Sequence, residues 1–88
     1  MQTIWKFPLP VQDYSIIEMP EGSIPLAVQI QGQSPCLWVQ VPDDTADLVP
    51  RRFAIHGTGH PMHQSGYRYI STFQMHGGAL VFHAFEIV

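Results

Sequence analysis

Five histidines stand in this 88-residue chain, at His56, His60, His63, His76 and His83. Imidazole is the commonest metal ligand and the one side chain that ordinarily titrates near neutrality. His56, His60 and His63 are close in sequence, but Gly57, Gly59 and Pro61 interrupt them, so they cannot share the face of a helical metal site. A β-barrel wall can gather His56, His76 or His83 from different strands. No spacing of two histidines and an acid matches a metal motif, however, and no metal ligand is assigned. The spacing favours histidines hydrogen-bonded in turns or at a subunit contact.

The stretch His56-Gly57-Thr58-Gly59-His60 offers a second chemistry. A Gly-x-Gly turn leaves backbone N–H groups accessible to an anion, and Arg51 and Arg52 just before it supply charge. The turn opens no helix, so it matches neither the dinucleotide fingerprint nor the phosphate-binding P-loop. The alternative is a tight connector whose glycines take positive φ. A third candidate is His76 at the Gly77-Gly78 turn. Tyr67, Tyr69 and Phe73, read on one face of the strand before it, together with Trp38 form an aromatic surface suited to a base or a partner protein; the alternative is core or subunit packing. The candidate ligand-binding set is therefore Trp38, Arg51, Arg52, His56, Gly57, Thr58, Gly59, His60 and His76. Cys36 and the serines at 15, 23, 34, 65 and 71 lack a nucleophile motif. No catalytic residue and no cofactor is assigned, and the chain is not expected to be an enzyme.

The elements that must position these residues are strands. Residues 67–75 and 79–88 flank His76-Gly77-Gly78, a hairpin signal. The second run is apolar on both faces, with only Glu86 and His83 interrupting, and so belongs in the centre of a sheet. Residues 3–9 alternate and end in prolines, as an edge strand does. Residues 13–19 close at the turn Pro20-Glu21-Gly22-Ser23. Ile24, Leu26, Val28 and Ile30 read as one face of a half-buried strand that makes a hairpin with residues 36–41, where Leu37, Val39 and Val41 point inward and Trp38 outward. Residues 42–50 hold two prolines and three acids and read as a solvated loop with at most one helical turn from Asp43; residues 51–56 resume as a strand. The whole predicts a single all-β domain over residues 1–88, a small antiparallel β-sandwich or barrel of six to seven strands.

Composition narrows the partners. Charged residues make up only 12% against 45% hydrophobic, which leaves much of the surface uncharged and favours a homo-oligomer. A net charge of −3 with four fixed cations argues against duplex nucleic acid. A lone Cys36 suits a reducing compartment. The N-terminal residues show neither a secretory leader nor a membrane-spanning run, so a cytoplasmic protein without membrane contact is expected.

The blocks IWKFPL, QSPCLWVQV, FAIHGTGHPM and TFQMHGGALVFHAFE together resemble a family of short proteins of tailed bacteriophages and prophages to which no reaction is attached. The resemblance spans nearly the whole chain. It implies a phage accessory protein made in the cytoplasm of the infected host, and it brings no catalytic residues with it. In that setting the expected function is a β-rich binding module that counters host antiviral defence by sequestering a nucleotide-type signalling ligand in a homo-oligomer. The alternatives are an inhibitor directed at a host defence protein, or a virion or assembly component; a metal-dependent small-barrel enzyme comes last.

Overall fold

Alternating apolar and polar residues, broken at Gly- and Pro-rich turns, produce a chain of short strands. The computed structural model describes residues 1–63 and 65–88 and contains β1 (Thr3–Pro8), β2 (Ser15–Pro20), β3 (Ile24–Gln31), β4 (Ser34–Val41), β5 (Leu48–Gly57), β6 (Tyr67–Met75) and β7 (Leu80–Ile87). A single 3-10 turn at His76–Gly78 joins the last two. Among the described residues no helix is long and apolar enough to cross a membrane.

Two antiparallel sheets form, one in the order β1-β4-β3 and one in the order β2-β5-β7-β6. They pack as a small β-sandwich, the first of the two architectures expected from the sequence. Leu37, Val39 and Val41 of β4 face Met19, Phe53, Ile55, Phe73 and Ala84 of the other sheet across the core. β7 lies between β5 and β6 as its two apolar faces require, and β1 is an edge strand as its prolines require. The β6–β7 turn places His76, Gly77 and Gly78 all at positive φ, which only the two glycines adopt without strain.

Three expectations are corrected. The face assigned to Ile24, Leu26, Val28 and Ile30 is broken by a bulge between Pro25 and Ala27, so that Val28 and Ile30 pack inward while Ile24 and Leu26 are exposed. A bulge adds one residue to one strand, and with a side-chain period of two it exchanges the faces on either side. A second bulge between Tyr69 and Ser71 does the same to β6. Tyr67 and Tyr69 therefore face outward whereas Phe73 is buried against Phe82, so the three do not share a face. Finally, the segment 42–50 is not all loop. Residues 48–50 begin β5, and Pro50 is tolerated because this part of β5 pairs only with β2, the register with β7 starting at Arg52. Ahead of it Asp43 sets a hydrogen-bonded turn rather than a helix: its carboxylate accepts from the Thr45 hydroxyl (2.6 Å) and amide (2.9 Å), which together hold the Asp43 pKa below its ordinary value.

The sheets meet closely where β3 approaches β6, at the two bulges. There the amide of the fully buried Val28 donates to Ser71 Oγ (2.9 Å) across the gap between sheets. Ser71→Ala removes that acceptor and leaves a buried N–H unpaired, for an expected loss of about 1–3 kcal/mol. Urea unfolding of the variant checks it, and an unchanged midpoint would mean that the amide finds another partner.

Candidate functional site

The order β2-β5-β7-β6 dictates where a site can form. β5 and β6 both run antiparallel to β7, so they are parallel to each other, and the chain leaving β5 at Gly57 must travel back along the sheet before entering β6 at Tyr67. A crossover of nine residues reaches at most about 30 Å. It is long enough to cross the sheet and too short to wander from it. The result is a cleft of about 370 Å3 lined by Asp13, Tyr14, His56, His60, Pro61, His63 and Tyr67.

Its floor is the outer face of the four-stranded sheet, which carries a ring cluster. His56 and Tyr67 meet edge to face at 5.5 Å between centroids, and Phe85 lies 5.1 Å from Tyr67, 6.2 Å from His56 and 5.8 Å from Tyr69. His56 Nε2 and the Tyr67 hydroxyl are 3.1 Å apart. Directly across the ladder from His56 stands His83. Both of its ring nitrogens are engaged, Nε2 with Thr58 Oγ1 at 2.8 Å and Nδ1 with Thr72 Oγ1 at 3.0 Å, and Thr72 Oγ1 in turn contacts the Tyr69 hydroxyl at 2.8 Å. Hydroxyls can donate or accept, so this chain fixes the ring without fixing its tautomer.

His60 is placed by its neighbours. Its amide donates to Gly57 O (3.0 Å), and its ring lies so close over Gly57 that a β-carbon there would stand 2.9 Å from Nδ1. Gly57 is therefore required for close approach rather than for positive φ, which within this loop is adopted by Gly59 (+86°).

The expected site residues are divided among several places. His56 and His60 line the cleft, with Gly57, Thr58 and Gly59 in the turn between them. Arg51 points to the core side, where its guanidinium makes a two-pronged contact with the carboxylate of Glu86 and donates from Nη1 to Ser23 O (2.9 Å). Arg52 is exposed on the outer face, level with Ile16 and Ile87. Trp38 belongs to the outer face of the other sheet, with Lys6 Nζ 6.0 Å from its ring, and so shares no surface with Tyr67 and Tyr69. His76 opens onto a different cavity, of about 390 Å3, with Gln33, Gln74 and Met75. Sequence reasoning did not assign Asp13, Tyr14, Pro61 or His63 to the site, and used Tyr67 only for its ring.

Among the described lining residues the one fixed charge is the Asp13 carboxylate. His56, His60 and His63 line one cleft, yet among the described residues no three imidazole, thiolate or carboxylate groups are grouped as a metal ion would require. What the arrangement can do is hold a planar, hydrogen-bonding group: rings to stack on, imidazole and phenol groups that donate or accept, and a carboxylate that accepts.

Residues 1–88 match a family described as a domain of unknown function, DUF7352. No curated protein and no solved structure matches the chain.

Proposed function

Since the chain belongs to the DUF7352 family over its whole length, a family description that names no activity, we propose a function from the geometry: a non-catalytic binding module that takes the base of a nucleotide-type ligand into the cleft beneath the β5–β6 crossover. The observation that carries this reading is the cleft itself. Its volume of about 370 Å3 falls in the usual range for small-ligand sites, and its lining combines stacking rings with a few convergent polar groups. Asp13 accepts from an exocyclic amine, and the imidazoles of His56, His60 and His63 serve ring nitrogens or carbonyls. In a phage accessory protein, as the resemblance of the sequence blocks implies, such a module sequesters a signalling nucleotide of the host's antiviral defence in the host cytoplasm.

A second reading, a protein-directed inhibitor or a homo-oligomer contact, is favoured by one observation. The outer face of the three-stranded sheet exposes Ile4 (62%) and Ile24 (52%) on either side of the Gln40 position, with the half-buried Trp38 beside them.

Thermal unfolding with a panel of nucleotides tests the first reading. A ligand at a hundredfold excess over its Kd stabilises the folded state by about 2.7 kcal/mol, which for a domain of this size raises Tm by roughly 10–20 °C. Absence of any shift across mono- and dinucleotides would remove it.

A further inference from the structure

The outer face of the four-stranded sheet continues past the cleft to Arg52. On β5 the outward positions are 52, 54 and 56, so only the methyl of Ala54 stands between Arg52 and His56 on their own strand. Four residues of strand set the two α-carbons about 13 Å apart. Across the sheet, Tyr67 of the cleft wall is level with Ile87, Ile87 with Arg52, and Arg52 with Ile16. Two strand spacings, about 10 Å, therefore separate Tyr67 from Arg52. Arg52 and Ile16 are both exposed, and the guanidinium stands at the margin of the cleft on the same face as its rings.

Arg52 is also the one Lys or Arg side chain without a partner among the described residues. Arg51 is held by Glu86 and by Ser23 O, Arg68 lies 3.8 Å from Glu86, and Lys6 donates to Gln31 Oε1 at 2.6 Å. Its neighbours in the row are two isoleucines, and Glu18, the next outward residue of β2, forms no ion pair with it.

We propose that Arg52 is the phosphate anchor of this site, and that its ligand is a nucleoside carrying a phosphate rather than a free base or a nucleoside. This rests on the reading of the cleft as a base pocket. With the base among His56, His63 and Tyr67, the ribose lies at the level of Ala54 and the phosphate reaches the guanidinium. The planar fork of an arginine donates two parallel N–H groups to two phosphate oxygens, which a lysine cannot do. The fixed charges orient the ligand. Asp13, inside the cleft, accepts from an exocyclic amine of the base, and Arg52, outside it, takes the anion. The reverse placement sets a phosphate against a carboxylate. An exposed cation holds a free anion only weakly. The base therefore brings the phosphate to Arg52, since a group tethered to one already bound meets its partner at high effective concentration.

Calorimetric titration of the full chain with adenosine, guanosine and cytidine, with their 5′-monophosphates and with inorganic phosphate separates this proposal from the reading beneath it. At least one monophosphate is expected to bind about tenfold or more tightly than its nucleoside, and inorganic phosphate alone is expected not to bind at the same concentrations. Arg52→Gln is expected to bring the monophosphate within twofold of the nucleoside. Arg52→Lys, which keeps the charge and loses the fork, is expected to retain a preference of about threefold. Arg68→Gln, a change at an exposed cation whose contact is with the inward-facing Glu86, is expected to keep the full preference. Circular dichroism confirms the fold of each variant. Added salt is expected to narrow the preference in the unaltered protein, because an exposed charge is screened, and to have no such effect in Arg52→Gln. Equal binding of nucleoside and monophosphate by the unaltered protein, or a preference that survives Arg52→Gln, overturns the anchor and leaves the base pocket standing. A preference that falls as far in Arg68→Gln as in Arg52→Gln also overturns it, because the overall charge of the chain then accounts for the effect. Failure of nucleosides and monophosphates alike to bind overturns both.

Discussion

Replacing Glu86 by alanine is expected to destabilise the fold by about 3 kcal/mol, a large share of the 5–15 kcal/mol that holds a domain of this kind together. Glu86 falls on the inward row of β7, level with Phe53, and is 3% exposed. A carboxylate there is tolerated because Arg51, inward-facing on the neighbouring strand, meets both of its oxygens and spends a further N–H on the carbonyl of Ser23. The pair thereby ties the β2–β3 turn to the central strand. Removing the acid leaves the guanidinium with one carbonyl partner in a largely desolvated position. Loss of a partner from a buried pair costs about 3–5 kcal/mol, and the lower end applies because the Arg51 side chain keeps 20% of its exposure. Arg68, 3.8 Å from the same carboxylate and 64% exposed, contributes little. The double change Arg51→Met with Glu86→Leu is expected to recover most of the loss, since an apolar pair of similar volume needs no neutralisation. Urea unfolding of Arg51→Met, Glu86→Leu and the double variant yields the coupling energy directly. A Glu86→Ala loss below about 1 kcal/mol would show that water reaches the guanidinium and that the pair is not a fastening of the fold.

Arg51 also shows where sequence reasoning reaches and where it stops. Beside Arg52 and a Gly-rich histidine loop it reads as a cation for a ligand, because adjacent residues alternate faces and nothing local says which of the two points inward. The answer lies with Glu86, thirty-five residues away, which the sequence displays only as a polar break in an apolar row. Features fixed by local periodicity were legible: β7 as a central strand, β1 as an edge, the hairpin at Gly77-Gly78 and the turn at Gly22. The bulges at Leu26 and Ile70 were not, because each leaves the apolar alternation of the sequence intact while exchanging faces in space. That exchange removed Phe73 from the aromatic surface and brought Phe85 of the next strand into it. The cleft was half legible. His56 and His60 belong to one loop, but Asp13 and Tyr14 join them because β2 pairs with β5, and Tyr67 because the crossover returns the chain to β6 on the far side of β7, facts of topology to which no short motif corresponds. Trp38 and His76 have the right chemistry and stand elsewhere.

That crossover must also be fastened at its far end, and the fastening is Gly66. Its carbonyl accepts from the amide of Val88 (2.7 Å), its φ is +77°, and a β-carbon on it would stand 2.4 Å from the carbonyl oxygen of Val88. Gly66→Ala therefore meets two costs at once. The left-handed backbone is about 1–2 kcal/mol less favourable for a residue with a β-carbon, and the backbone of Val88 must move, which loses a hydrogen bond of about 1 kcal/mol. A total near 2–3 kcal/mol is expected. Gly59 of the same crossover and Gly57, the last residue of β5 before it, serve as controls. Gly59, at φ +86° with nothing within 4 Å of its absent β-carbon, is expected to lose only the conformational part, and Gly57, whose obstacle is the His60 side chain rather than backbone, is expected to lose less still. The order of urea midpoints, Gly66→Ala lowest and Gly57→Ala highest at a common slope, checks the reasoning. Equal losses at Gly66 and Gly59 would show that the contact with Val88 relaxes freely and that the crossover is anchored elsewhere. If the order holds, amide exchange at Val88 should quicken in Gly66→Ala, because the bond from its N–H to the Gly66 carbonyl is the one that is lost.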